Sequence, residues 1–224
     1  MAEMKEKILI LGGTREAADL AASLVAQGKD VTTSLAGRTR EPAPLVGKVR
    51  VGGFGGAQGL AAFLRLEAFT LLIDATHPFA RQISANAAEA AQLSGIALER
   101  VTRAPWTSEA GDRWIEVGTI AEAVETIPPG SNVLLAIGSQ HIAPFAIRDD
   151  VHYVVRMVDM PDQPLPLPDH ELVLARPGQV SAERELMLEK KITHIVCRNS
   201  GGRQSYAKIE AARQLHLPVI MLVR

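Results

Sequence analysis

Five short polar stretches of this 224-residue chain carry residue types able to bind or transform an anionic ligand, and each follows an apolar run. The first is Gly12-Gly13-Thr14-Arg15. Glycine lets backbone N–H groups approach an anion closely, and a following helix N-terminus adds positive potential, so these residues read as a pyrophosphate cradle. They read equally as a tight strand-to-helix turn capped by Thr14, because the fuller fingerprint G-x-G-x-x-G is absent. The second stretch is Ser34-Leu35-Ala36-Gly37-Arg38. Sheets that bind NAD place an acid about 20 residues past the glycine loop, on the ribose 2′-hydroxyl. Here that place holds Thr33 and Ser34, followed by Arg38, with no Asp or Glu. If a dinucleotide binds, a hydroxyl and a guanidinium favour NADP(H) over NAD(H).

The third stretch, Arg50 to Gly56, sets Gly53, Phe54 and Gly55 among further glycines and offers a flat surface with few side chains, or a loop packed on the first turn. The fourth runs from Asp74 to Ser84. Asp74 and His77 are candidate acid–base groups at a strand end, with Thr76 beside them. Asp74 accepting turn N–H bonds is the alternative. Thr76-His77-Pro78 reads as a helix start with proline in its first turn. The fifth, Cys197 to Lys208, gathers Arg198, Asn199, Ser200, Gly201, Gly202, Arg203 and Lys208, a second anion-binding turn or a solvated helix start. Tyr206 and Lys208 are too close in sequence for a Tyr-x-x-x-Lys pair, and Ser139 lacks the G-x-S-x-G elbow. Cys197 ends an apolar strand and reads as core.

The elements that must position these turns alternate. Strands are expected at 8–11, 30–34, 49–51, 71–74 and 96–99, with helices at 14–27, 57–66 and 80–93 between them. After Arg103-Ala104-Pro105-Trp106 the alternation restarts: strands at 114–117, 133–137, 152–157, 171–175, 194–197 and 219–223, and helices at 120–125, 181–189 and 206–215. The segment from Leu134 to Ala143 repeats the strand, glycine turn, helix order of the N-terminus, and Pro161 to His170 reads as a proline-rich loop. Near-continuous apolar strands alternating with helices mean parallel sheets covered on both faces. The expected fold class is α/β, with two Rossmann-like parallel-sheet domains at 1–105 and 106–224; the last strand fits either.

Composition narrows the function classes. Basic and acidic residues number 24 and 25, and 47% of residues are apolar, so neither disorder nor a basic field for nucleic acid or anionic membrane is indicated. With one cysteine and no H-E-x-x-H among six histidines, no disulfide framework and no metal site are expected. No signal-peptide core and no apolar run of about 18 residues is present, so a cytoplasmic chain is expected. Nothing demands a partner subunit, which leaves a monomer or weak homo-oligomer.

Taken together, GGTREA, SLAGR, RVGGFGG, DATHPFA, RAPW, IGS at Gly138 and RNSGG with Lys208 resemble the precorrin-6A reductase family of corrin biosynthesis, over essentially the whole chain. The resemblance implies NADPH-dependent reduction of one C=C bond of the precorrin-6A macrocycle to give precorrin-6B, in a cleft between two domains. It also implies that the residues from Arg198 to Lys208, helped by Arg81 and Arg103, hold the substrate carboxylates. Two rival readings are a non-catalytic NADP(H)-sensing Rossmann protein, and an α/β enzyme that binds a phosphorylated or nucleotide-linked substrate in both glycine turns.

Overall fold

The computed structural model describes residues 6–37, 45–203 and 205–224. The chain divides into two compact units, Met1–Thr102 and Arg103–Arg224. The first holds a five-stranded parallel sheet, built from β1 (Lys7–Leu11), β2 (Asp30–Leu35), β3 (Lys48–Val51), β4 (Leu71–Asp74) and β5 (Ala97–Arg100), in the order β3-β2-β1-β4-β5. The chain leaves β1 toward β2 and later returns to β4 on its other side. That reversal opens a crevice beyond the carboxyl ends of β1 and β4.

Side-chain alternation along β1 explains the layering. Ile8 and Ile10 face one side, with Ala17 and Ala21 of α1 (Arg15–Ala26). Leu9 and Leu11 face the other, with Leu60 and Leu64 of α2 (Gly56–Leu66) and Ala87 and Ala90 of α3 (Arg81–Ser94). Alanine on the buried helix faces lets the helices lie close to the sheet. Gly59 serves the same end in α2, since a Cβ there would stand 1.7 Å from the Phe54 carbonyl oxygen.

The second unit is a six-stranded parallel sheet in the order β6-β11-β10-β7-β8-β9. Its strands are β6 (Trp114–Val117), β7 (Asn132–Ala136), β8 (His152–Met157), β9 (His170–Leu174), β10 (His194–Arg198) and β11 (Val219–Leu222). The last strand therefore lies in this sheet, between β6 and β10. Helices α4 (Ile120–Thr126), α5 (Val180–Glu189) and α6 (Ala207–Gln214) complete it. Leu134, Ile195, Cys197, Ile209 and Met221 belong to one of its core clusters, so Cys197 is the core residue expected. Arg156 of β8 and Glu183 of α5 are both almost fully buried and meet at 2.5 Å. Gly178 N–H also donates to Glu183, so the carboxylate is satisfied on more than one side.

Two local expectations fail. α3 begins at Arg81, and residues 76–80 form a separate turn instead of its first turn. Proline at 78 disfavours helical backbone at His77, and Ala80 N–H bonds back to the His77 carbonyl. After β7 the chain makes two short 3₁₀ helices, Ser139–His141 and Ala143–Ile147, in place of the α-helix that the likeness to the N-terminus suggested. Pro144 lacks the N–H that a continuous helix would need there. Among the described residues no helix is long and apolar enough to cross a membrane, and no three His, Cys, Asp or Glu side chains converge as a metal site.

Candidate active site

The first unit's turns close around a cavity of about 210 Å³ beyond the carboxyl ends of its strands. Gly12 from the first turn, Ser34 from the second, Gly53, Phe54 and Gly55 from the third and Thr76 from the fourth all line it. Gly13 and Thr14 follow Gly12, and Gly37 follows the lining residue Ala36, but none of the three lines the cavity, and Arg15 is exposed beside Asp19 at 3.8 Å. Arg38, expected to select the extra phosphate, lies outside the described residues.

Each turn is held by bonds that leave its ligand-facing side open. Gly12 N–H donates to the Ser34 carbonyl at 2.9 Å, extending the β1–β2 ladder by one residue. A Cβ on Gly12 would lie 2.7 Å from the methyl of buried Thr33, so only glycine fits. Gly13 has a φ of +101°, and a Cβ there would meet nothing within 4 Å. Thr14 caps α1 by accepting from Ala17 N–H at 3.1 Å, and its hydroxyl donates to the Ala75 carbonyl at 2.8 Å. One side chain thus ties the turn after β1 to the turn after β4, across the crevice mouth. Among the described residues no carbonyl takes the amides of Gly13 or Thr14, which begin the N-terminus of α1.

Asp74 is buried, and one of its carboxylate oxygens accepts from Thr76 N–H at 3.2 Å and from the Thr76 hydroxyl at 2.7 Å. His77 Nδ1 accepts from Phe79 N–H at 3.3 Å, which puts the proton of a neutral ring on Nε2. Neither residue lines the cavity, although Thr76 between them does.

In the second unit the turn after β10 is welded to the segment at 103–106. The Asn199 amide is buried; its oxygen accepts from Trp106 N–H at 2.7 Å and its nitrogen donates to the Trp106 carbonyl at 2.9 Å. Trp106 Nε1–H donates to the Gly202 carbonyl at 3.0 Å, and Arg224 bridges the carbonyls of Arg103 and Ser200. Gly201, at φ +63°, passes so close that a Cβ would be 2.3 Å from the Ala104 carbonyl oxygen. The geometry gives Asn199 a different task from the ligand contact expected of it: it holds a backbone partner. Replacing it by alanine leaves the partly buried N–H and C=O of Trp106 without these partners. We expect a loss of about 2–4 kcal/mol of stability, read by chemical denaturation.

The cations of this turn are unequal. Arg203 is exposed. Arg198 is half-buried against Gly138, and burial holds its guanidinium below the ordinary arginine value. Lys208, expected as a ligand-gripping cation, is buried under the turn. Its ammonium donates to the Ser205 carbonyl at 2.6 Å and sits 5.1 Å from the centre of the Trp106 ring. Desolvation lowers its pKa.

The profile of the precorrin-6x reductase family CbiJ/CobK matches residues 7–224. The chain belongs to that family. Precorrin-6A reductase of Rhodobacter capsulatus is 48% identical over 97% of this chain and 88% of its own length. Those of Sinorhizobium sp. and Rhodococcus erythropolis are 48% and 45% identical, covering 98% and 97% of this chain and 85% and 89% of theirs. The solved structure of a CobK precorrin-6A reductase superposes with a TM-score of 0.94 at 48% identity, covering 98% of this chain and 88% of that one. As a member of a reductase family the protein is an oxidoreductase, and reductases of this kind draw on a nicotinamide cofactor. The non-catalytic sensor reading is thereby set aside.

The cavity's chemistry fits such a cofactor. Added Cβ atoms at Gly52, Gly53, Gly55 and Gly56 would all enter open space, so a planar ligand can lie directly on this backbone. Sequence reasoning missed part of the lining, chiefly Leu60 of α2 and Ile83 and Asn86 of α3. Ile83 and Asn86 are three apart on a helix, the spacing that puts two side chains on one face, and this was the available signal.

Proposed function

We propose that the protein reduces one C=C bond of precorrin-6A, giving precorrin-6B in cobalamin biosynthesis, with NADPH as reductant. The observation that carries this reading is the convergence of four glycine- and hydroxyl-rich turns on one cavity, in a chain nearly half identical to precorrin-6A reductases over almost its full length. Bound there, NADPH would supply a hydride to one carbon of the double bond, becoming NADP⁺, and the neighbouring carbon would take a proton.

The chain's own residues then have distinct tasks. Gly12 lines the cavity, and the amides of Gly13 and Thr14 beside it, at the N-terminus of α1, would take the pyrophosphate. Ser34, at the strand end where NAD-binding sheets carry an acid, accommodates a 2′-phosphate together with Arg38. The open glycine wall from Gly52 to Gly56 lets the cofactor lie flat. In the second unit Arg198 and Arg203 meet substrate carboxylates, and Asn199 and Lys208 keep the turn that carries them in shape.

Asp74 fixes the Thr76 turn, and His77 Nε2 is the proton donor of this reading, its ring taking up a proton from solvent before each transfer. Asp74→Asn keeps an amide oxygen that accepts both Thr76 bonds, so its single-turnover rate should stay within about threefold of wild type. His77→Ala should slow product protonation by about 100-fold. An unchanged protonation rate in the His77 variant excludes that role and leaves a water as donor.

The choice between metal-free and cobalt-containing substrate follows the relatives. Those 39–48% identical are named precorrin-6A reductases, whereas those 26–30% identical are named cobalt-precorrin-6A reductases. This supports the metal-free macrocycle. Turnover of the cobalt form at an equal kcat/KM contradicts it.

A further inference from the structure

Arg50 contacts the cavity wall at more points than any role in the β3 edge strand requires. Its two terminal nitrogens donate to the carbonyls of Gly52 at 2.5 Å and Gly53 at 2.8 Å. Its guanidinium carbon stands 3.9 Å from the centre of the Phe54 ring and 5.1 Å from that of Phe63. Among the described residues its hydrogen bonds go to these two carbonyls. Its strand register pairs it with Ser34, so the two residues share a sheet face, and Ser34 lines the cavity.

A loop this rich in glycine has little conformational preference of its own. Gly52, Gly55 and Gly56 all have positive φ, and open space surrounds them. Something must therefore select one conformation. A planar trans peptide points its N–H opposite to its carbonyl. By holding the carbonyls of Gly52 and Gly53, the fork of Arg50 turns the amides of Gly53 and Phe54 away from itself. Among the described residues no carbonyl takes either amide. The aromatic contact fixes the Phe54 ring at the same time.

Resting on the cofactor assignment above, we infer that Arg50 is a positioning residue: its guanidinium pre-forms the Gly52–Phe54 wall on which the nicotinamide dinucleotide lies. Lysine cannot reproduce this, because a single ammonium does not hold two carbonyls in a fixed plane.

The test is NADPH titration of the full chain, followed by nucleotide fluorescence, for wild type, Arg50→Met and Arg50→Lys. Melting temperatures and the KM for each substrate accompany it. Arg50→Met should weaken NADPH binding by tenfold or more and Arg50→Lys by at least threefold. The KM for precorrin-6A should stay within twofold of wild type for both. Equal NADPH affinity in wild type and Arg50→Met overturns the role of Arg50 alone. A matching rise in the KM for precorrin-6A with a lowered melting temperature also overturns it, since the residue then supports the fold generally. A wild-type protein that takes up no NADPH overturns the cofactor assignment together with this role.

Discussion

Gly53→Leu is expected to leave the first unit folded while weakening NADPH binding by about 100-fold or more, equivalent to about 2.7 kcal/mol. The backbone of Gly53 is not in the positive-φ region, so leucine meets no strain there. An ideal Cβ at this position has no atom within 4 Å, so it displaces no neighbour. The space it enters borders a cavity of about 210 Å³, and an isobutyl group would occupy much of the surface on which a flat ring must lie. Thermal melting should change little, while nucleotide fluorescence should reveal the loss. Wild-type affinity in this variant would show that the ligand does not use the Gly52–Gly56 wall.

The second large effect lies in the other unit and has the opposite character. Gly201→Ala should destabilise the protein by about 2–4 kcal/mol, from overpacking and left-handed strain together. The added Cβ would stand 2.3 Å from the Ala104 carbonyl oxygen and 3.1 Å from the Arg103 Cβ. Backbone cannot rotate away as a flexible side chain does, so the turn after β10 must shift from the 103–106 segment. That shift strains the Asn199–Trp106 pair and the Arg224 bridge. The melting temperature should fall by roughly 10 °C. The KM for precorrin-6A should rise while NADPH affinity stays near wild type, because the first unit is untouched. A variant with wild-type melting and kinetics would mean that the glycine answers no packing demand.

How far the sequence foretold this molecule depended on the range of each interaction. Local signals carried well. The apolar run at Ile8–Leu11, the glycines after it and Thr14 as cap are all read within a few residues, and the structure has β1, the turn and the cap in those places. The strand-to-helix alternation was legible for the same reason. The helix start at 76–78 was misjudged because proline signals a first turn and a break alike, and the Asp74 bonds to Thr76 decide between them. Asn199 looked like a ligand residue because its partner, Trp106, is 93 residues away in sequence. No spacing rule pairs them. Arg50 lies inside the RVGGFGG motif, yet nothing in the sequence indicates that it turns back onto the Gly52 and Gly53 carbonyls. Lys208 read as a cation for a ligand because its burial depends on Trp106, again a distant contact.

The central claim is hydride transfer from NADPH to precorrin-6A. Purified protein mixed with NADPH and metal-free precorrin-6A should show loss of NADPH absorbance with a matching shift in the macrocycle spectrum, and NADH should be consumed at least tenfold more slowly. NADPH absorbance that stays constant in the presence of the macrocycle, or equal consumption of NADH, would contradict the account.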